Sequence, residues 1–193
     1  MPTGIAIRDV RTQLFDAAER ILLRDGAAAL TSRAVTTEAG CAKGVLHRHF
    51  ADFDEFLAEL VRDRAACIQA RGATLHEAAG TGDVAGNLTG FLLDLFGTVA
   101  LGILQLIIAR DELRARLRAT TPAGLPILSD AATSLTGYLA AERDLGRLPA
   151  GADVDAIALL LIGTAHLVFA GRDGVAPDDD EVRRFVAAAI PGT

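Results

Sequence analysis

Catalysis or metal binding would begin at the histidines and cysteines, and their spacing supports neither. Cys41, His47 and His49 fall within nine residues and form a conceivable metal set. A free cysteine is more commonly a small buried hydrophobe, and Cys41 is read that way. Cys67 has no CxxC partner, and two cysteines without a pairing pattern suit a reducing cytoplasm. His76 lies near a loop end and reads as solvated. His166 stands alone in an apolar stretch. It is either a satisfied core or interface imidazole or one of the few polar groups of an apolar ligand cavity. The sequence contains no GxSxG, P-loop, GxGxxG or HExxH pattern. The expectation is a chain with no catalytic residue, no cofactor and no metal, hence not an enzyme.

The chemistry that does stand out is polar recognition, in residues 31–50. Thr31 is a good N-cap, and Val35 and Ala39, four apart, give the following turns one buried face. Gly40 can take the left-handed conformation that ends a helix, and Cys41 plugs the turn. Leu46 and Phe50 repeat the four-residue spacing. Lys43, His47 and Arg48 occupy the other side, with no carboxylate between Lys43 and His49. A short helix, apolar on one side and basic on the other, fits a major groove. The stretch reads as a helix-turn-helix.

With Thr31, Ala39-Gly40-Cys41, Gly44 and His47-Arg48-His49-Phe50 in place, the segment resembles the DNA-binding region of the TetR family of bacterial transcription regulators. The likeness spans roughly residues 8–60, and the chain's length suits the family. It implies an all-α fold of about nine helices. A helix-turn-helix DNA-binding domain would occupy 1–51, and an effector-binding and dimerisation domain 52–193. Carried over residue by residue, the DNA-facing set is Thr31, Ser32, Arg33, Ala42, Lys43, Gly44, His47, Arg48 and His49. Four positions depart from the family's habit. Ala42 replaces a frequent Ser, Val45 a frequent Thr, His47 a phosphate-touching Tyr, and Phe53 a common Lys. Each swap removes a hydroxyl or charge, so weaker and more salt-sensitive DNA binding is expected.

The remaining elements must carry this head. The net charge is −6, but residues 1–50 hold seven Lys/Arg against five carboxylates, a balance of +2, leaving −8 on the rest. A slightly basic head on an acidic body suits a protein that presents one end to DNA. Helical spacing of Val10, Leu14, Ala17, Ala18, Ile21 and Leu22 predicts a first helix over 8–24, after a loose arm at 1–7. Arg8 and Arg11 are either phosphate contacts or solvated surface charges. Asp52 can cap a long helix to about 79, with Phe56, Leu60, Cys67, Ile68 and Leu75 on its inner side. Residues 84–117 divide near 97–101, and 101–108, apolar all round, must be enclosed. A break at 121–126 precedes helices over 127–143, 154–171 and 178–190. The uncharged runs 95–109 and 156–171 are shorter than the roughly 18–20 residues of a membrane span.

The resemblance also implies a small, largely apolar effector. Phe91, Leu95, Leu104, Gln105, Ile108, Tyr138 and His166 are its candidate contacts, although Gln105 and Tyr138 read equally as ordinary core or boundary residues. The helix over 154–171 is apolar on every side, more than one subunit can cover. Leu160, Gly163 and Leu167, with Val182, Phe185 and Val186 of the last helix, are therefore expected to form a homodimer interface. The implied mechanism is a cytoplasmic dimer on a palindromic double-stranded operator. Effector binding would tilt the long connecting helix and misplace recognition helices that sit about 34–36 Å apart. A repressor is the family habit. The competing reading is an all-α small-molecule-binding protein or enzyme whose helix-turn-helix no longer binds DNA well.

Overall fold

The computed structural model describes residues 10–97, 100–120, 126–171 and 177–190. The expected arm at 1–7, Arg8 and most of the break at 121–126 lie outside them. Among the described residues there are ten α-helices and no strand. They are α1 (Val10–Asp25), α2 (Ser32–Glu38), α3 (Val45–His49), α4 (Phe53–Glu77), α5 (Val84–Phe96), α6 (Ala100–Ala109), α7 (Asp111–Thr120), α8 (Pro126–Asp144), α9 (Val154–Ala170) and α10 (Asp179–Ala189). The extra helix relative to nine arises at Arg110. There the apolar run of α6 gives way to Asp111 and Glu112, which favour the start of a new helix. No single described helix is long and apolar enough to cross a membrane.

The chain forms two compact units, residues 1–62 with 102–122 and residues 63–101 with 123–193. The compact units divide inside α4, and α7 belongs with the N-terminal helices. In the first unit α1 buries Leu14, Phe15, Ala17, Ala18, Ile21 and Leu22. Four phenylalanines close the core under the recognition helix. Phe56 lies 5.6 Å from Phe15, 5.1 Å from Phe50 and 5.6 Å from Phe53, ring centre to ring centre. Asp52 caps α4 as expected, accepting from the Glu55 amide at 2.8 Å.

In the second unit α8 packs along α9, and α10 packs on α5 and α9. The rear half of α4 meets α8 at Gly72, where a β-carbon would collide with Ser134. Asp153 and Asp178 cap α9 and α10. Arg183 of α10 pairs with Asp83, the cap of α5.

Three expectations about packing need correction. Cys67 is exposed, not on the inner side of α4. In α6, Gln105 and Ile108 are exposed, Ile108 at 57%, so that run is not enclosed on every side. Val182 and Val186 are fully buried within the protomer, because the amphipathic face of α10 is used up on α5 and α9. They have no surface left for a partner, and Phe185 is only half-buried.

Candidate nucleic-acid interface

The helix-turn-helix is fixed by local chemistry. Thr31 Oγ1 accepts from the Ala34 amide at 3.1 Å and starts α2. At the other end Gly40, with φ +66°, lets the Cys41 amide reach Thr36 carbonyl at 2.9 Å and the Gly40 amide reach Thr37 carbonyl at 3.1 Å. This pair of bonds is the Schellman closure, open to a glycine without strain. From α1, Gln13 Nε2 donates to Ala39 carbonyl at 2.9 Å, while Arg20 and Arg24 hold Glu38. The Arg20 hydrogen bond, then that of Arg24, keeps the Glu38 carboxyl below its usual range. The turn is thus tied to α1 on two sides.

On this frame α3 is short. Leu46 and Phe50 are buried, whereas Ala42, Lys43, Gly44, His47, Arg48 and His49 are all exposed. No side chain caps α3, and the helix begins only at Val45, whose amide bonds Ala42 carbonyl at 2.9 Å. Ala42 and Lys43 therefore stand in the preceding turn, as the missing hydroxyl at 42 would suggest. Thr31 and Arg33 are exposed and Ser32 is half-buried. Cys41 is half-buried, and its thiol reaches only Ala39 carbonyl, at 3.6 Å. Among the described residues no group of His, Cys, Asp and Glu is placed to hold a metal.

The cations around the helix-turn-helix fall into two groups. Arg11, Arg20 and Arg24 of α1 are occupied: Arg11 bonds Glu59 at 2.7 Å and stacks over Phe50 at 4.7 Å, and the others hold Glu38. Arg11 is therefore neither bare surface nor an idle phosphate ligand. Arg33, Lys43 and Arg48 make no ion pair or hydrogen bond among the described residues. Phe53, where the resemblance expects Lys, stacks on Phe56 and carries the Arg110 guanidinium 5.5 Å above its ring.

The expected effector contacts are divided between the two units. Leu104, Gln105 and Ile108 belong to the first unit; Phe91, Leu95, Tyr138 and His166 belong to the second. Phe91 lines a cleft of about 330 Å³ between α4 and α5, with Arg71, Leu75, Asn87, Gly90 and Asp94. A second cleft, of about 440 Å³, lies between α4 and α8 beside Gln69, His76, Asp130 and Thr133. Leu95 is core. His166 is half-buried beside the Phe96 ring, with Nδ1 buried and unpartnered.

Tyr138 is fully buried, and its hydroxyl accepts from Asn87 Nδ2 at 3.0 Å. Burial, before any other cause, pushes its phenol well above the usual range. Glu142 is itself fully buried and pairs with Arg147 at 3.3 Å. Sequence reading missed this polar cluster: Tyr138, Glu142 and Arg147 lie within ten residues, but Asn87 is 51 positions from Tyr138. The one available signal was a Glu on the apolar side of a helix.

Two short helices joined by a Schellman turn, the second exposed and cation-bearing, form a helix-turn-helix. Residues 14–60 match the bacterial regulatory proteins of the tetR family. Over those residues the chain is similar to that family's DNA-binding region, and the whole chain shares the fold of the solved structures below. Similar solved structures include the multidrug binding protein EbrR complexed with imidazole, at 23% identity and TM-score 0.60, covering 95% of this chain and 96% of that one. A TetR-family member from Streptomyces coelicolor A3 has 23% identity and TM-score 0.64, covering 95% and 99%. FadR from Bacillus subtilis in complex with stearoyl-CoA has 17% identity and TM-score 0.68, covering 94% and 98%. No curated protein sequence matches the chain.

Proposed function

We propose that this protein is a ligand-responsive, DNA-binding repressor rather than a catalyst, acting as a homodimer on a palindromic operator. The observation that carries this reading is the contrast in pairing. Cations on α1 are neutralised within the protein, whereas Arg33, Lys43 and Arg48 are exposed beside or on the recognition helix without a counter-ion among the described residues. Unpaired cations on a groove-sized element are what phosphate recognition requires. Residues up to 51 read the duplex in this proposal, and 52–193 bind effector and partner. The α4–α5 cleft with Phe91 is the effector site best supported, and its Leu75 and Phe91 walls suit a largely apolar molecule. A relative of the same fold bound to stearoyl-CoA agrees with that class.

The partner surface lies on α9. Leu159, Leu160 and Leu167 are 66%, 59% and 73% exposed and share a face with Gly163. Such a row of apolar side chains is costly in water and supports a two-fold contact. Leu160→Asp with Leu167→Asp should convert dimer to monomer in sedimentation. Retention of the wild-type mass would remove α9 from the interface.

The DNA reading is tested by salt titration. An operator is first selected from random duplexes with the full-length protein, and its affinity is followed by fluorescence anisotropy. Lys43→Ala with Arg48→Ala removes four phosphate contacts per dimer, so the slope of log K against log salt should become shallower by about 3–4. Counterion release also corrects the expected salt sensitivity. Losing neutral hydroxyls at Ala42, Val45 and His47 weakens binding without changing the salt slope, and losing the Lys charge at Phe53 makes the slope shallower, not steeper. An unchanged slope, or a wild type indifferent to every duplex, would favour the small-molecule-binding protein or enzyme instead.

A further inference from the structure

The turn that follows the recognition helix is acidic. α3 ends at His49, and Asp52, Asp54 and Glu55 follow within six residues. Three residues of backbone span at most about 11 Å, so Asp52 stands within roughly one Debye length of His49 at 0.1 M salt. Free carboxylates there would oppose the phosphates that Lys43 and Arg48 attract.

None of the three is free. Arg116 Nη2 donates to Asp52 Oδ2 at 2.6 Å, and its Nη1 donates to Glu55 Oε2 at 3.0 Å. Arg110 donates to Asp54 Oδ1 from Nε at 3.1 Å and from Nη2 at 2.8 Å. Arg62 adds a longer contact to Glu55 Oε1, at 3.4 Å. Asp52 meanwhile keeps its other oxygen on the Glu55 amide, so it caps α4 and binds Arg116 at once. That amide first, and Arg116 second, hold its carboxyl below the usual range. Arg110 and Arg116 lie 56 and 64 positions from these acids, yet α7 belongs to the same compact unit.

We propose that Arg110 and Arg116 are positioning residues for DNA binding: they neutralise the acidic first turn of α4, so that α7 sets the charge presented beside the recognition helix. The proposal rests on the DNA-binding reading above. It makes two arginines that need not touch the duplex necessary for holding it. Because the carboxylates cap and start α4, the arginines also tie the α6–α7 segment to the element that directly follows α3.

The test separates charge from structure. Asparagine caps helices as well as aspartate, so Asp52→Asn removes the charge and keeps the start of α4. In full-length protein, Arg116→Ala should weaken binding to the selected duplex about fivefold at low salt, the order expected of a few unit charges acting near a Debye length on both heads. Arg116→Ala combined with Asp52→Asn and Glu55→Gln should return to within about twofold of wild type. Arg110→Ala should likewise weaken binding, and Arg110→Ala with Asp54→Asn should likewise restore it. A single variant that binds as wild type overturns the proposal. So does a combined variant that stays as weak as the single one, since the role would then be structural. Both outcomes leave the DNA reading standing, whereas a wild type that binds no duplex overturns both.

Discussion

Phe56→Ala is expected to destabilise the N-terminal unit by about 3–5 kcal/mol, the range for deleting a buried aromatic side chain. Phe56 is fully buried and touches the rings of Phe15, Phe50 and Phe53, with Phe50 edge-on at 80°. Phe50 is the residue that closes α3, so the cavity opens directly under the recognition helix. Aromatic contacts of this geometry add to the loss from burial alone. In a thermal melt the midpoint should fall by about 10 °C or more. Phe56→Leu, which refills most of the volume, should cost less than half as much. Duplex affinity should follow stability, falling in the alanine variant and returning when the temperature is lowered. A melt within about 2 °C of wild type would mean that the phenylalanine cluster is not what seats α3.

Much of the first unit was legible because its determinants are local. Thr31, Gly40 and Asp52 act through bonds to residues at most five positions away, and their type alone predicts the role. The buried set of α1 is written in its spacing, whereas α9 reads as apolar on every side and only the structure divides it into a covered and an uncovered face. What could not be read is which surface covers a given face. Val182 and Val186 mark the apolar stripe of α10 correctly, but periodicity cannot tell a partner's helix from the protomer's own α5 and α9. Ile108 shows the same limit in reverse, an apolar residue in an apolar run that is left exposed. Long-range polar pairs are the other blind spot. Asn87 and Tyr138 are 51 positions apart, Asp83 and Arg183 are 100 apart, and nothing local distinguishes them from solvated residues. Charge density alone made 110–118 look like surface, although Arg110 and Arg116 are engaged with α4.

The second large effect lies at a buried ion pair between residues only five positions apart. Arg147→Met should destabilise the C-terminal unit by about 2–3 kcal/mol. Breaking a buried ion pair costs about 3–5 kcal/mol, and the figure is discounted because the Arg147 side chain is 28% exposed. Glu142 is fully buried in α8, and Arg147 is the cation beside it at 3.3 Å. The guanidinium also donates to Gly82 carbonyl at 2.7 Å and Thr81 carbonyl at 3.4 Å, and Asn87 Nδ2 bonds Thr81 carbonyl at 3.1 Å. One arginine thus holds the α4–α5 loop against the end of α8 while neutralising a carboxylate that water does not reach. Methionine preserves much of the volume but leaves that carboxylate without a cation in a low dielectric. The cost should therefore depend on the acid, not on the arginine's packing. Arg147→Met with Glu142→Gln has no buried charge to strand and should recover at least half of the loss in urea unfolding. If the double variant unfolds at the same urea concentration as Arg147→Met alone, the loop contacts, and not the buried carboxylate, are what Arg147 supplies.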